Sequence, residues 1–475
     1  MSIPLIPAYR FGETYESLDV TEITNFRSGD PLARVGSVNA GVIRRDLRRI
    51  DAAFTEFQKS SVGQMLAICA RAADLFMQGD VPVSEGALQS PQDYVEMLSA
   101  TGGLPHALVR GNMEKIAHVL REMPTVLKGL TRGLDVEQLQ EGVWQQDGLT
   151  LSYAPSTTHL GVVLPSNSPG VNSLWLPAVA LRVPVLLKPG REDPWTPWRI
   201  INALLAAGCP GSAFGFYPTD HEGADVVSSS CKRVILFGDA KTVERHTANP
   251  NVSVHGPGYS KVILGADEAE NWESHIDLMA DSVVHNGGRS CVNASTIVVP
   301  AHGRDVARRL AERLAEVKPT SQDDPAAQLA AFLNLQVADA IEAMLNQGLG
   351  TPGAEDVSEP LRGSRVVDCD GLRYLLPTVV YCEKLDHPLA KSEYLFPYVS
   401  VVEIAQDEVL DWIGPTLVGT VISSDETFRR ASAACADIDR LNLGAVPTPT
   451  VQWDQPHEGN LFEWLYHRRA IQVVS

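Results

Sequence analysis

The chain has 475 residues, 44% of them hydrophobic and 7% aromatic, and a formal charge of −19. The length exceeds one ordinary core and implies two or three domains, and the acidic balance leaves no basic face for nucleic acid or an anionic membrane, so neither is expected as a partner. Met1–Pro7 lacks the basic flank and apolar core of a secretory signal, no apolar run approaches the ~20 residues of a membrane helix, and seven cysteines at 69, 209, 231, 291, 369, 382 and 435 form no Cys-x-x-Cys pair. A cytoplasmic, reducing setting without a metal centre is expected, with the cysteines other than Cys291 serving as small core hydrophobes.

Ile43, Leu47, Ile50, Phe54 and Phe57 recur at helical spacing and predict one amphipathic helix over 40–58. A second helix follows over Met65–Phe76, and 80–136 reads as further helix and loop. From about 159 short apolar runs alternate with helix-length segments. Gly161–Leu164, Val183–Leu187, Phe214–Tyr217 and Val234–Phe237 read as strands. Val171–Leu181, Trp195–Ala207, Glu222–Ser229 and Ala240–His246 read as helices. Such alternation implies a parallel sheet covered by helices, with ligands at the carboxyl ends of its strands. Asn167, Lys188 and Gly238 all fall just after strands. A second series runs through Val262–Leu264, Ile297–Val299, Val379–Tyr381, Val399–Ile404 and Gly419–Ser423, and is expected to form a separate domain holding Cys291. Residues 137–158 and Ala470–Val474 are candidate edge strands.

Cys291 sits in His285-Asn286-Gly287-Gly288-Arg289-Ser290-Cys291-Val292-Asn293, a Gly-rich turn before an apolar run. A thiol there is reachable as a core cysteine is not, which makes it a candidate nucleophile. Leu164-Pro165-Ser166-Asn167-Ser168-Pro169 places an amide in a constrained turn after a strand. Thiol and amide donor together suit covalent chemistry on a carbonyl: sulfur attacks carbon while an N–H holds the oxygen as it becomes negative. Alone, Asn167 reads equally well as a turn cap.

These segments carry a resemblance. Leu164–Pro169 resembles the Pro-Trp-Asn-Phe-Pro segment of the aldehyde dehydrogenase superfamily, and Asn286–Cys291 its Asn-x-Gly-Gln-x-Cys segment. Leu186–Arg191 is similar to Lys-Pro-Ser-Glu, and Glu393-Tyr394-Leu395-Phe396-Pro397 to Glu-x-Phe-Gly-Pro. The four keep the family's order and cover most of the chain. The resemblance implies an α/β fold: a Rossmann-type cofactor domain (1–136 and 159–242), an α/β catalytic domain (243–445) and a small β oligomerisation flap with the C-terminal segment (137–158 and 446–475). It implies an NAD(P)-dependent enzyme, a homodimer or homotetramer, acting on a small-molecule aldehyde or acyl-CoA. Cys291 would be the nucleophile, and Asn167, with the Cys291 backbone N–H, the oxyanion donor. Lys188 would hold the adenine-side ribose and Glu393 the nicotinamide-side ribose. Pro165 and Ser166 would border the cofactor, and Gly238 would let its pyrophosphate approach a helix start.

Three departures refine this. Asp239 follows Gly238 where the family has Ser, so it either caps the next helix or displaces the pyrophosphate. Arg191 stands where NAD-preferring members carry Glu. A guanidinium attracts a 2′-phosphate, which favours NADP over NAD, although Glu192 lies next door. His255-Gly256-Pro257-Gly258-Tyr259-Ser260 replaces Glu-Leu-Gly-Gly-Lys-Ser, whose Glu activates water in hydrolytic members. The Gly-Pro-Gly turn resembles the CoA-acylating branch, with coenzyme A as co-substrate. His255 either closes the turn or acts as a general base toward water or the CoA thiol. A hydrolytic enzyme using His255, and a non-catalytic scaffold of the same fold, are the alternatives. The polar segment Asp454–Phe462 could line an entrance or fix the C-terminal segment.

Overall fold

The computed structural model describes residues 3–472. Met1 and Ser2, and Val473 and Val474 of the candidate C-terminal edge strand, lie outside the described residues. The chain divides into two compact units. The first takes the described residues of Met1–Gly102, Val109–Gly256 and Gln452–Ser475, the second Gly103–Leu108 and Pro257–Val451.

In the first unit, seven strands form one sheet: β1 (Ala8–Arg10), β2 (Glu13–Tyr15), β3 (Leu160–Val163), β4 (Val185–Lys188), β5 (Phe214–Phe216), β6 (Val234–Phe237) and β7 (Val252–His255). Their order is β7-β6-β3-β4-β5-β1-β2. The five from β3 to β7 are parallel, and β1 and β2 add an antiparallel edge. The chain steps from β3 through β4 to β5, then returns to the other side of β3 for β6. The connection therefore reverses between β3 and β6, the place where a doubly wound sheet opens a crevice beyond its carboxyl ends. Val162, Leu186, Leu187 and Val234 are fully buried, as near-continuous apolar strands covered on both faces require.

The expected alternation of strand and helix is present, with differences of local cause. The 40–58 helix is two, Ala40–Leu47 and Ile50–Phe57, separated at Arg48 and Arg49. Val171–Leu181 begins as a tight 3-10 turn, Pro169–Leu174, and becomes an α-helix only over Leu176–Ala180. Strand β7 escaped the sequence reading because it is a four-residue edge strand, fully buried only at Val252. The boundary after Gly256 follows from it, since β7 pairs in register with β6. Two small antiparallel ladders, Trp144–Gln146 with Leu149–Leu151 and Tyr153–Pro155 with Tyr466–Arg468, also belong to the first unit.

In the second unit, β8 (Ser260–Leu264), β9 (Ala294–Val299), β10 (Ala354–Asp356), β11 (Thr378–Cys382), β12 (Tyr398–Glu403), β13 (Thr416–Ile422) and β14 (Ile438–Leu443) form a sheet ordered β10-β11-β12-β9-β8-β13-β14. All pairs are parallel except β10–β11. Its core joins Ile263, Val298, Val380, Val402 and Val421 to Leu345 and Phe396. Cys69, Cys209, Cys231 and Cys382 are buried, as core thiols should be; Cys435 is half-buried but packs against the second-unit core, and half-buried Cys369 corrects the expectation for that one. No helix among the described residues is long and apolar enough to cross a membrane, and no cluster among them has the ligands for a metal ion.

Candidate active site

The first unit gathers its candidates along one sheet edge. Pro165, Ser166 and Asn167 follow the carboxyl end of β3, Lys188 ends β4, Gly238 follows β6 and His255 ends β7. The β3 and β4 loops touch closely. A Cβ on Gly190 would lie 2.4 Å from the Pro165 carbonyl oxygen and 2.5 Å from Ser166 Oγ, so only glycine fits. Ser166 Oγ also accepts from the Glu192 N–H at 3.2 Å. Lys188 is half-buried, and burial lowers its pKa against the pull of the Glu192 charge. Arg191 and Glu192 are exposed.

Asp239 does not project a bare carboxylate. It caps Ala240–His246, accepting from Thr242 N at 2.9 Å and Thr242 Oγ1 at 2.8 Å, and these bonds hold its pKa down. A dinucleotide fits this edge. The glycine contact brings the β3 and β4 loops together beside the switch point, Lys188 and Arg191 offer cations, and the acid beside Gly238 is turned to its helix.

His255 has a partner that the sequence reading did not assign. Its Nδ1 lies 2.5 Å from Glu458 Oε2, its Nε2 lies 3.0 Å from Ser253 Oγ, and its ring stacks on Phe237 with centroids 5.0 Å apart. The His255 and Glu458 side chains are 8% and 7% exposed. Burial opposes the Glu458 charge, yet the His255 hydrogen bond and the charges of His255, His457 and Lys115 outweigh it and hold the carboxyl well below the usual range. Glu458 belongs to the polar 454–462 segment, which is held in place and also lines a cavity. Asn460 donates to the Leu130 carbonyl at 2.8 Å, and Gly129 leaves no room for a Cβ beside the Asp454 carbonyl, so the segment is fixed. It also lines, with His255, a cavity of about 450 Å3.

In the second unit the turn that carries Cys291 precedes β9. Asn286, Gly287 and Gly288 take φ of 52°, 67° and 70°, three successive left-handed residues that Asn and Gly tolerate best. A Cβ on Gly288 would lie 2.3 Å from the Phe396 carbonyl carbon and Pro397 nitrogen. Asn293 locks the turn: Oδ1 accepts from Ser290 N at 2.9 Å, and Nδ2 donates to the Ser282 and His285 carbonyls at 3.1 and 3.0 Å. Arg289 is buried, and burial pulls its guanidinium down to about 10; it donates to the Ala331 carbonyl and lies over the Phe332 ring. Cys291 itself is partly exposed and in no disulfide.

The turn before β8 supports Cys291 from behind. Ser260 Oγ donates to the Cys291 carbonyl at 2.9 Å, and a Cβ on Gly258 would stand 2.0 Å from that same oxygen. Glu393 accepts from Gly258 N at 3.1 Å and Tyr259 N at 2.6 Å. Burial pushes its carboxyl up to about 7, against those two N–H bonds and the Lys261 charge. Each carboxylate oxygen keeps a second acceptor position, so a ribose hydroxyl could still be met. Lys261, drawn down to about 7 chiefly by burial, donates to Tyr259 O at 2.7 Å and Thr416 Oγ1 at 2.8 Å. Asn293 and Lys261 were not singled out in the sequence. Asn293 stands two residues after the thiol, and Lys261 is a cation inside an apolar strand, the one signal that could have marked it.

A doubly wound sheet with a glycine-tight carboxyl edge, and a partly exposed thiol before a strand of a second sheet, are compatible with a cofactor-dependent dehydrogenase. The sequence model of the aldehyde dehydrogenase family matches residues 14–438, and the chain belongs to that family. It is thus an NAD(P)-dependent oxidoreductase of aldehydes. Among similar proteins, one provisionally assigned as an aldehyde dehydrogenase in Staphylococcus haemolyticus is 22% identical over 446 residues, covering 90% of this chain and 88% of that one. The acylating methylmalonate-semialdehyde dehydrogenase of Arabidopsis thaliana mitochondria is 24% identical over 352 residues, covering 66% and 55%. The solved aldehyde dehydrogenase KauB from Pseudomonas aeruginosa superposes with a TM-score of 0.80 at 18% identity, covering 99% of this chain and 97% of that one.

Proposed function

We propose that the chain is a CoA-acylating aldehyde dehydrogenase, converting an aldehyde, CoA and NAD(P)+ to acyl-CoA and NAD(P)H, or running in reverse as an acyl-CoA reductase. The observation that carries this is His255. At the position where hydrolytic relatives place a water-activating carboxylate, this chain has an imidazole, followed by the Gly256-Pro257-Gly258 turn that resembles the acylating branch. The Arabidopsis relative, named as acylating, agrees with it. Cys291 sulfur would attack the aldehyde carbon, and Asn167 with the Cys291 N–H would hold the oxyanion. Bound NAD(P)+ supplies the hydride acceptor. The thioester left on Cys291 would pass to CoA, an exchange between near-equal thioesters that runs either way. Lys188 and Arg191, with Pro165, Ser166 and Gly238, would hold the adenine half, and Glu393 the nicotinamide-side ribose. Arg191 favours NADP(H) over NAD(H) by charge. The short ladders of 144–155 and 466–468 offer edges through which copies could pair as a homodimer or homotetramer.

A second reading, hydrolysis with His255 as base, is favoured by the carboxylate bonded to its ring, which is what an imidazole base uses. Product analysis separates the two. Aldehydes are incubated with NAD(P)+ with and without CoA, and acid and acyl-CoA are quantified. CoA-dependent acyl-CoA is expected. Rapid conversion to free acid without CoA would falsify the acylating reading and leave the hydrolytic one.

A further inference from the structure

Glu458 sits at a backbone position that argues against accident. Its φ is +56°, in the left-handed region that a glutamate seldom adopts, and Gly459 follows at +97°. The conformation turns the carboxyl inward, onto His255 Nδ1, with His457 Nε2 3.5 Å from the other oxygen. An ionised carboxylate only accepts, so the Nδ1 that meets it must carry the proton. The neutral ring then has its lone pair at Nε2, where the Ser253 hydroxyl donates to it at 3.0 Å. Stacking on Phe237 fixes the ring plane. Ser253 and His255, two residues apart on β7, share one face of the strand and line the cavity of about 450 Å3 together with His457, Glu458 and the apolar Leu174 and Trp464. That mixture suits an uncharged, amide-bearing arm ending in a thiol better than it suits bulk water.

We propose that Glu458 is the positioning residue of His255: it holds Nδ1–H, keeps the lone pair at Nε2, and so lets His255 take the proton of the acceptor thiol as that thiol enters from this cavity. The step balances. The S–H proton passes to Nε2 as the Ser253 hydroxyl gives way, the new thiolate forms a carbon–sulfur bond to the enzyme-bound acyl group, and the enzyme thiolate leaves; reversal returns the proton from the imidazolium. The inference rests on the acylating reading and names how its transfer step is driven. Among the described residues, His457 of the terminal segment and Lys115 also bring their charges to Glu458.

The test isolates transfer from acylation. Acyl-enzyme is formed with aldehyde and NAD(P)+, freed of excess reagents, and mixed with CoA at a series of pH values. Glu458→Gln is expected to slow acyl transfer about tenfold or more, and by a larger factor than it slows formation of the acyl-enzyme. Glu458→Asp should recover part of the rate. His255→Gln should cost as much as Glu458→Gln or more, and the double variant should cost no more than His255→Gln alone, since the two act as one unit. Equal loss in acylation and transfer, or a double variant slower than His255→Gln alone, overturns the proposal while CoA dependence stands. Release of free acid by the wild-type acyl-enzyme without CoA overturns the acylating reading and this proposal with it.

Discussion

In the first unit the residues expected to meet the cofactor follow the carboxyl ends of β3, β4 and β6, whereas in the second Cys291 and Glu393 precede the amino ends of β9 and β12. The two edges are made by different means. The first is a product of topology: reversal of the winding between β3 and β6 leaves the strand-end loops free to form a crevice, and one glycine, Gly190, brings two of them into contact. The second is a product of local turn chemistry. Three left-handed residues, an asparagine lock and a carboxylate clamp fix the backbone around one thiol. Backbone of that kind persists only where its surroundings over-determine it, which is why such strain gathers where chemistry is done.

If covalent chemistry belongs to the second edge alone, Cys291→Ala should lower aldehyde turnover by at least about 10³-fold while leaving cofactor affinity at the first edge largely intact. Steady-state kinetics and fluorescence titration of NADPH measure the two separately. Substantial residual turnover would remove the covalent mechanism. Asn167 is the sharper probe, because it stands on the first edge but is assigned to the oxyanion. Asn167→Ala should reduce kcat by about 10²–10³-fold with a smaller effect on KM. A change confined to KM would return Asn167 to the first edge's role of holding a ligand or the turn.

Arg191→Glu tests the first edge on its own terms. A charge-assisted hydrogen bond is worth about 1.5–3 kcal/mol when both partners are ordered, and less at an exposed residue such as this one. A shift of roughly tenfold in the NADP+/NAD+ ratio of kcat/KM is therefore expected, toward NAD+. Equal preference in the wild type, unchanged by the substitution, would mean that the 2′-position of the ribose lies elsewhere.

The same contrast explains what could be read from the sequence. Alternating apolar runs and helical segments announced β3 through β6, because buried parallel strands are near-continuous in Val, Leu, Ile and Phe. The motif around Cys291 was legible because Gly287 and Gly288 are needed by the backbone itself. Strand β7 was not, since an edge strand alternates and Ser253 and His255 look like loop residues. Glu458 was visible only as part of a polar segment; its bond to His255 spans 203 positions and has no local signature. Nor could the sequence show that Glu393, besides any ribose, clamps the turn behind Cys291.

That clamp gives an effect on stability rather than on turnover, and a signed one. The folded-state carboxyl of Glu393 is pushed from its ordinary 4.5 up to about 7, first by burial. The folded chain therefore holds this proton more tightly than the unfolded chain does, and the group's contribution to stability is full below 4.5 and lost as pH rises through about 7. Lys261 does not blur that window. Its pKa is lowered to about 7, so between 4.5 and 7 it is mostly charged in both states, and its own effect, a gain in stability with rising pH, comes above 7. Glu393→Gln removes the titrating group while keeping one amide oxygen as an acceptor for Gly258 N or Tyr259 N. Its melting temperature, followed by scanning fluorimetry, should lose a wild-type decline of several °C across this window: a rise from 4.5 to about 7 is worth about 3 kcal/mol by linkage, and each kcal/mol moves a domain of some 200 residues by about 2–4 °C. Cofactor affinity measured on the same samples completes the comparison. A lost decline with unchanged affinity would make Glu393 a part of the thiol edge only; a weakened affinity with an intact decline would make it a ribose ligand whose carboxyl is not held by the turn.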